Sequence, residues 1–171
     1  EGEKMVNELI QNWPETITCL CTNSAVLNFN GESYLVDEKV MKEVSSLTTP
    51  TTLLAVVKKP NFKQPENNFI LALDGIQDPG NMGTILRTAD WFKVDQVVCS
   101  MNSVDIYNSK VIQSSMGSLF NIPVSYVDLK DYLSATSLKI YGALLDGENI
   151  YEQTLSRKGI IVIGNEGSGI S

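Results

Sequence analysis

Met5, Val6, Leu9 and Ile10 recur at helical spacing between Glu3 and Trp13, and Pro14 closes the run, so the pattern predicts an opening helix. The stretch TITCLCT at 16–22 reads as a strand. Val36, Val40, Met41 and Val44 then return to a helical period and predict a second helix with these four on its core face. TTLLAVVKK at 51–59 reads as a buried strand, because β-branched and apolar side chains fill it without interruption. Residues 1–58 are therefore expected to form a small α/β unit. The segment that follows, KPNFKQPENN at 59–68, carries two prolines and three asparagines with little apolar material, the composition of a linker.

Beyond the linker the period changes. Apolar runs FILALD (69–74), QVVCS (96–100), IPVSYV (122–127), KIYGALL (139–145) and GIIVI (159–163) alternate with helical stretches at 82–92, 109–119 and 129–137. This alternation predicts an α/β domain over 69–171, a parallel sheet covered by helices on both faces. The 171 residues, 43% of them hydrophobic, suit one ordinary domain or two small ones. No apolar run approaches the roughly 20 residues of a membrane span, and EGEKMVNELI lacks the layout of a signal peptide. A soluble, cytoplasmic protein without a membrane partner is expected.

Charge narrows the partners. Thirteen Lys and Arg against 20 Asp and Glu give a formal charge of −7, which argues against broad, nonspecific nucleic-acid binding. A local basic patch remains in VVKKPNFKQ, where Lys58, Lys59 and Lys63 lie close together. The three cysteines, two as Cys19-Leu20-Cys21, form neither a disulfide framework nor a zinc spacing, and histidine is absent, so no metal site is expected. The missing histidine also removes the usual neutral-pH base and the Ser-His and Cys-His nucleophile pairs.

Two glycine-rich loops follow apolar strands: 75–83 after FILALD, and GNEGSG at 164–169 after GIIVI. In open α/β sheets ligands settle beyond the carboxyl ends of strands, and glycine lets backbone approach them closely. The second loop has neither the dinucleotide spacing nor the Gly-Lys-Ser/Thr of a phosphate loop, and it carries Glu166. A carboxylate there suits a cationic or hydroxyl-bearing ligand; adenine, ribose and a sulfonium all qualify.

Three segments, DGIQDPGNMGTILRTADWFKVDQVV (74–98), SSMGSLFNIPV (114–124) and IVIGNEGSGIS (161–171), occur in an order that resembles the SpoU (TrmH) branch of the SPOUT RNA methyltransferases. The likeness spans 69–171, and residues 1–58 resemble the small L30e-like substrate-binding domain that many members carry in front. The resemblance implies methyl transfer from S-adenosylmethionine (AdoMet) to a ribose 2′-hydroxyl of ribosomal or transfer RNA, ribosomal RNA favoured, by a homodimer. It also implies a C-terminal trefoil knot, an exception to the rule that chains do not thread loops.

Carried onto this sequence, the resemblance makes Asn81, Arg87 and Glu166 the catalytic residues. Leu144, Gly164, Asn165, Glu166 and Gly167 become the AdoMet contacts, and Ser115 to Gly117 shape a helix end near the site. Asn81 is placed to cap its helix, and Arg87, about a turn and a half further on, is placed to reach over the same end. Because a guanidinium stays protonated, Arg87 is expected to anchor phosphate with Lys58, Lys59 and Lys63 and to stabilise a developing oxyanion. Glu166, the RNA phosphate or water serves as base, and Glu166 alternatively holds Arg87. The family's third motif, an Ile-Pro strand followed by a Ser-Leu-Asn helix start, does not occur before Ser171. Either further sequence supplies it, or the protein is a catalytically inactive RNA-binding or scaffold protein that keeps the fold.

Overall fold

The computed structural model describes residues 1–24, 29–63 and 68–171; residues 64–67 of the expected linker lie outside the described residues. It divides into two compact units, Glu1–Asn61 and Phe62–Ser171, with the boundary inside the 59–68 stretch.

The first unit contains α1 (Glu3–Asn12), β1 (Ile17–Thr22), β2 (Ser33–Leu35), α2 (Glu38–Val44) and β3 (Leu53–Val57). Its three strands lie in the order β2-β1-β3, with β1 parallel to β2 and antiparallel to β3. Met5, Val6 and Leu9 of α1 are buried. Two expectations fail here. Only Met41 of α2 is buried, while Val40 and Val44 are 39% and 49% exposed. In β3 only Leu53 is buried and Val56 is 48% exposed. A β-branched run reports strand preference rather than burial, and a two-turn helix on a three-stranded sheet offers the core a single position. The short strand β2 has no period to betray it, since all three of its residues are exposed.

The second unit contains β4 (Phe69–Leu73), α3 (Pro79–Trp91), β5 (Gln96–Ser100), α4 (Ser109–Ser115), β6 (Val124–Val127), α5 (Leu129–Ala135), β7 (Ile140–Gly142) and β8 (Gly159–Ile163). All its strand pairs are parallel, in the order β6-β5-β4-β8-β7. Alternation along the strands separates two faces. Leu71, Leu73, Val97 and Cys99 pack with Met82, Leu86 and Ala89 of α3 and Val111 of α4. Ile70, Ala72, Val98, Ile160 and Val162 face the other way, toward Leu129, Tyr132 and Leu133 of α5.

Details of this unit depart from the sequence pattern. Helix α3 starts at Pro79 rather than at 82, because Asp78 caps it by accepting from the Asn81 N–H at 2.8 Å and Pro79 occupies the first turn, where no N–H is needed. Helix α4 stops at Ser115, where Met116 and Gly117 turn left-handed at φ 51° and 88°. A 3-10 turn follows at Ser118–Phe120. Strand β7 ends at Gly142, and Leu144 and Leu145 beyond it are 59% and 108% exposed. Gly83 serves packing rather than a ligand: a Cβ there would stand 2.0 Å from Ser114 Oγ and 2.8 Å from the Ser114 carbonyl carbon, so α3 and α4 meet only because the side chain is missing.

Candidate active site

Strands β4 and β8 are neighbours in register from Phe69↔Gly159 to Leu73↔Ile163, so the two glycine loops leave the sheet side by side although 90 residues separate them. Asp74 continues the ladder by donating its N–H to the Ile163 carbonyl at 2.9 Å. Gly75 then turns at φ +68° and donates its N–H to the buried Ser100 hydroxyl at 2.8 Å.

The second loop is built around Asn165. Its backbone N–H and C=O exchange hydrogen bonds of 2.9 Å each with Gly169, which turns at φ +75°. Its side-chain Oδ1 accepts from Gly167 N at 2.8 Å and Ser168 N at 3.2 Å, while Nδ2 donates to the Gly75 carbonyl at 2.8 Å. A Cβ on Gly164 would lie 2.2 Å from the Gly169 carbonyl carbon and 2.4 Å from Ile170 N. The loop folds onto its own first residue, and this fixes glycine at position 164 before any ligand is considered.

Between the loops lies a cleft of about 480 Å³. Ile76, Ile85 and Ile163 supply its apolar surface, and Gln77, Asp78, Asn81, Thr84 and Glu166 its polar groups, with Gly164, Asn165 and Gly167 along one side. Asn81 donates Nδ2 to Glu166 Oε1 across the cleft, joining the first glycine segment to the second. The Asn81 side chain does not cap α3, since Asp78 does; it is therefore free to make this contact. Two carboxylates and no Lys or Arg stand among the described lining residues.

Arg87 lies elsewhere. Six residues beyond Asn81, it is about 9 Å further along the helix and turned roughly 120° away, exposed, outside the cleft lining and without an ion pair among the described residues. Glu166 engages Asn81 rather than Arg87. Leu144 also lies outside this cleft; a Cβ on Gly142 would stand 3.7 Å from Leu144 Cγ and 3.3 Å from Ile170 Cδ1, so Leu144 and Ile170 both border Gly142. The helix end at Ser115 to Gly117 follows Ser114, whose Oγ lies 3.1 Å from the Pro79 carbonyl at the start of α3. Lys58, Lys59 and Lys63 are exposed. Among the described residues no group of three His, Cys, Asp or Glu is arranged to hold a metal ion. Among the described residues no helix is long and apolar enough to cross a membrane.

Sequence reasoning missed Asp74. The residue is 7% exposed, and its Oδ2 accepts from the Ser171 N–H at 2.6 Å. The signal was a carboxylate directly after an apolar central strand, in FILALD.

Residues 68–171 match the model of the SpoU rRNA Methylase family. The chain belongs to the SpoU family. A 23S rRNA (guanosine(2553)-2′-O)-methyltransferase of Bacillus subtilis (strain 168) is 33% identical over 179 residues, covering 99% of this chain and 72% of that protein. A solved TrmH-family structure from Porphyromonas gingivalis superposes with a TM-score of 0.81 at 36% identity, over 100% of this chain and 73% of the other. The SpoU methyltransferase AviRb from Streptomyces viridochromogenes, in complex with the cofactor AdoMet, shares the fold with a TM-score of 0.79 at 21% identity, over 99% of this chain and 74% of that one. The chain spans 72%, 54% and 50% of the length of three curated relatives that it matches.

Proposed function

We propose that the protein transfers a methyl group from AdoMet to a ribose 2′-hydroxyl of ribosomal RNA. The observation that carries this reading is the Asn81–Glu166 hydrogen bond, which joins the two family motifs in one cleft. The chemistry of the lining supports it. Two carboxylates without a cation favour a sulfonium and hydroxyls over a phosphate, and the three isoleucines suit an apolar or aromatic surface. The Gly164–Gly167 segment, with Leu144 beside Gly142, would hold AdoMet, which brings an already activated methyl group.

What remains for this chain is orientation. Glu166, steadied by Asn81, accepts a hydrogen bond from the 2′-hydroxyl and aims an oxygen lone pair. The methyl carbon would pass from the sulfonium sulfur to this oxygen, the C–S bond breaking as the C–O bond forms and leaving a neutral thioether, and the hydroxyl proton would go to this carboxylate or to water. Asn81 Oδ1 has no partner among the described residues and is available to accept from a second hydroxyl. Holding the reacting atoms in line supplies much of the acceleration in such a transfer.

Phosphate must be held from outside this acidic cleft. Arg87 is the candidate, and its position away from the cleft of its own chain supports a homodimer in which each copy offers Arg87 to the other's site. Lys58, Lys59 and Lys63 add contacts to RNA. The remaining family features, a trefoil knot at the C-terminal end and an L30e-like fold for residues 1–58 with methyltransferase residues at 69–171, belong to the same proposal, as does a cytoplasmic location beside the ribosomal substrate. The test is to incubate the full-length protein with labelled AdoMet and separated RNA fractions. Label in ribosomal RNA supports the reading; label in transfer RNA alone changes the substrate, and label in neither refutes the activity.

A further inference from the structure

The two residues at the exit of β4 do more than end a strand. Asp74 Oδ2 accepts from Ser171 N at 2.6 Å, and the Gly75 carbonyl accepts from Asn165 Nδ2 at 2.8 Å. The second loop is therefore held near its beginning and beyond its end by adjacent residues of the first. Gly75 is itself fixed through its N–H to Ser100, and Asp74 N–H is fixed to Ile163. Asn165 has its donor on the neighbouring loop and its acceptor on Gly167 and Ser168, so one side chain sets both the internal turn and its docking. Glu166, which makes the contact across the cleft, lies between these anchored positions and is itself exposed.

We infer that Asp74 and Asn165 are positioning residues: together they set the register of the two glycine loops and so hold Glu166 against Asn81. This deepens the methyl-transfer reading and rests on it for its kinetic consequence. It also changes the role expected of Asn165, whose side chain is engaged by the protein itself rather than left to meet AdoMet.

Asn165→Asp separates the two functions of that side chain. The acceptor toward Gly167 and Ser168 is kept, while the donor to the Gly75 carbonyl becomes an oxygen facing an oxygen. In full-length protein the single-turnover rate should fall by roughly 10-fold to 10²-fold, with affinities for RNA and AdoMet changing by less than about threefold, because orientation is lost and binding surface is kept. Asp74→Asn retains an acceptor for Ser171 N and should keep most of the rate, whereas Asp74→Ala should lose it.

A readout without cofactor or RNA is the side-chain amide resonance of Asn81, assigned with Asn81→Ser: it should shift in Asn165→Asp and Asp74→Ala and stay in place in Asp74→Asn. Should the damaging variants fail to fold, wild-type protein still decides, because the Asn165 proton on Gly75 must exchange more slowly than its geminal partner. Equal exchange of those two protons, or an unmoved Asn81 resonance in Asn165→Asp, overturns the inference. If wild type methylates no RNA, the activity reading fails, while the positioning role is still judged by the Asn81 resonance.

Discussion

Gly164→Ala puts one methyl group where the second loop closes on itself. The added carbon would stand 2.2 Å from the Gly169 carbonyl carbon and 2.3 Å from its oxygen. These are backbone atoms, and Gly169 is tied to Asn165 by two hydrogen bonds of 2.9 Å. Two responses are open to the loop. It can keep the bridge and accept an overpacked contact, which costs about 1–3 kcal/mol. Alternatively it can open, losing two hydrogen bonds worth about 0.5–1.5 kcal/mol each. Either route costs about 1–3 kcal/mol, and at about 1.4 kcal/mol per decade the closed form falls by roughly 5-fold to 150-fold relative to open forms. Amide hydrogen exchange at Asn165 and Gly169, measured without AdoMet, reads this directly as a loss of protection. If both amides stay as protected in Gly164→Ala as in wild type while AdoMet affinity alone falls, the glycine serves the ligand and the steric argument is wrong.

Other outcomes follow from the same geometry. Arg87→Ala should leave AdoMet binding intact in calorimetric titration while single-turnover methylation falls about 10² or more, since Arg87 lies outside the cleft bordered by the glycine loop; a wild-type rate would remove it from the site. Replacing Lys58, Lys59 and Lys63 with Gln should weaken RNA binding and flatten its salt dependence by about 0.7–0.9 in log-log slope per lost phosphate contact; an unchanged slope would mean these lysines only meet water. Burial pushes the Cys99 thiol from 9.0 to about 12. It should resist alkylation at pH 8 until the protein unfolds, whereas partly exposed Cys19 and Cys21 react. Because the folded state keeps that proton longer than the unfolded chain, the stability it contributes is full below about pH 9 and declines as pH rises toward 12; a reactive Cys99 in native protein would contradict the packing.

Which parts were legible follows from what each signal measures. The central strands β4, β5 and β8 were readable because their apolar side chains are buried or half-buried on both faces and form near-continuous runs. Val40 and Val44 misled because helical spacing shows that a face exists, not that anything covers it. The individual motifs were visible, but the bond between Asn81 and Glu166, 85 residues apart, depends on β8 pairing with β4, a long-range choice that no local period encodes. Gly83 and Gly164 were recognisable as unusual glycines, yet their cause is the chain's own approach, to Ser114 in one case and Gly169 in the other. The expectation that Arg87 reaches over the same helix end as Asn81 fails on helix geometry, since six residues carry a side chain well off the starting face.

The central claim is that the oxygen accepting the methyl group is the ribose 2′-hydroxyl. Alkaline cleavage of RNA needs that hydroxyl free, so a 2′-O-methylated nucleotide leaves its phosphodiester bond intact. Ribosomal RNA labelled by the full-length protein from radioactive AdoMet should, after exhaustive alkaline digestion, carry its label in alkali-stable dinucleotides. Label recovered in mononucleotides would place the methyl group on a base and contradict the account.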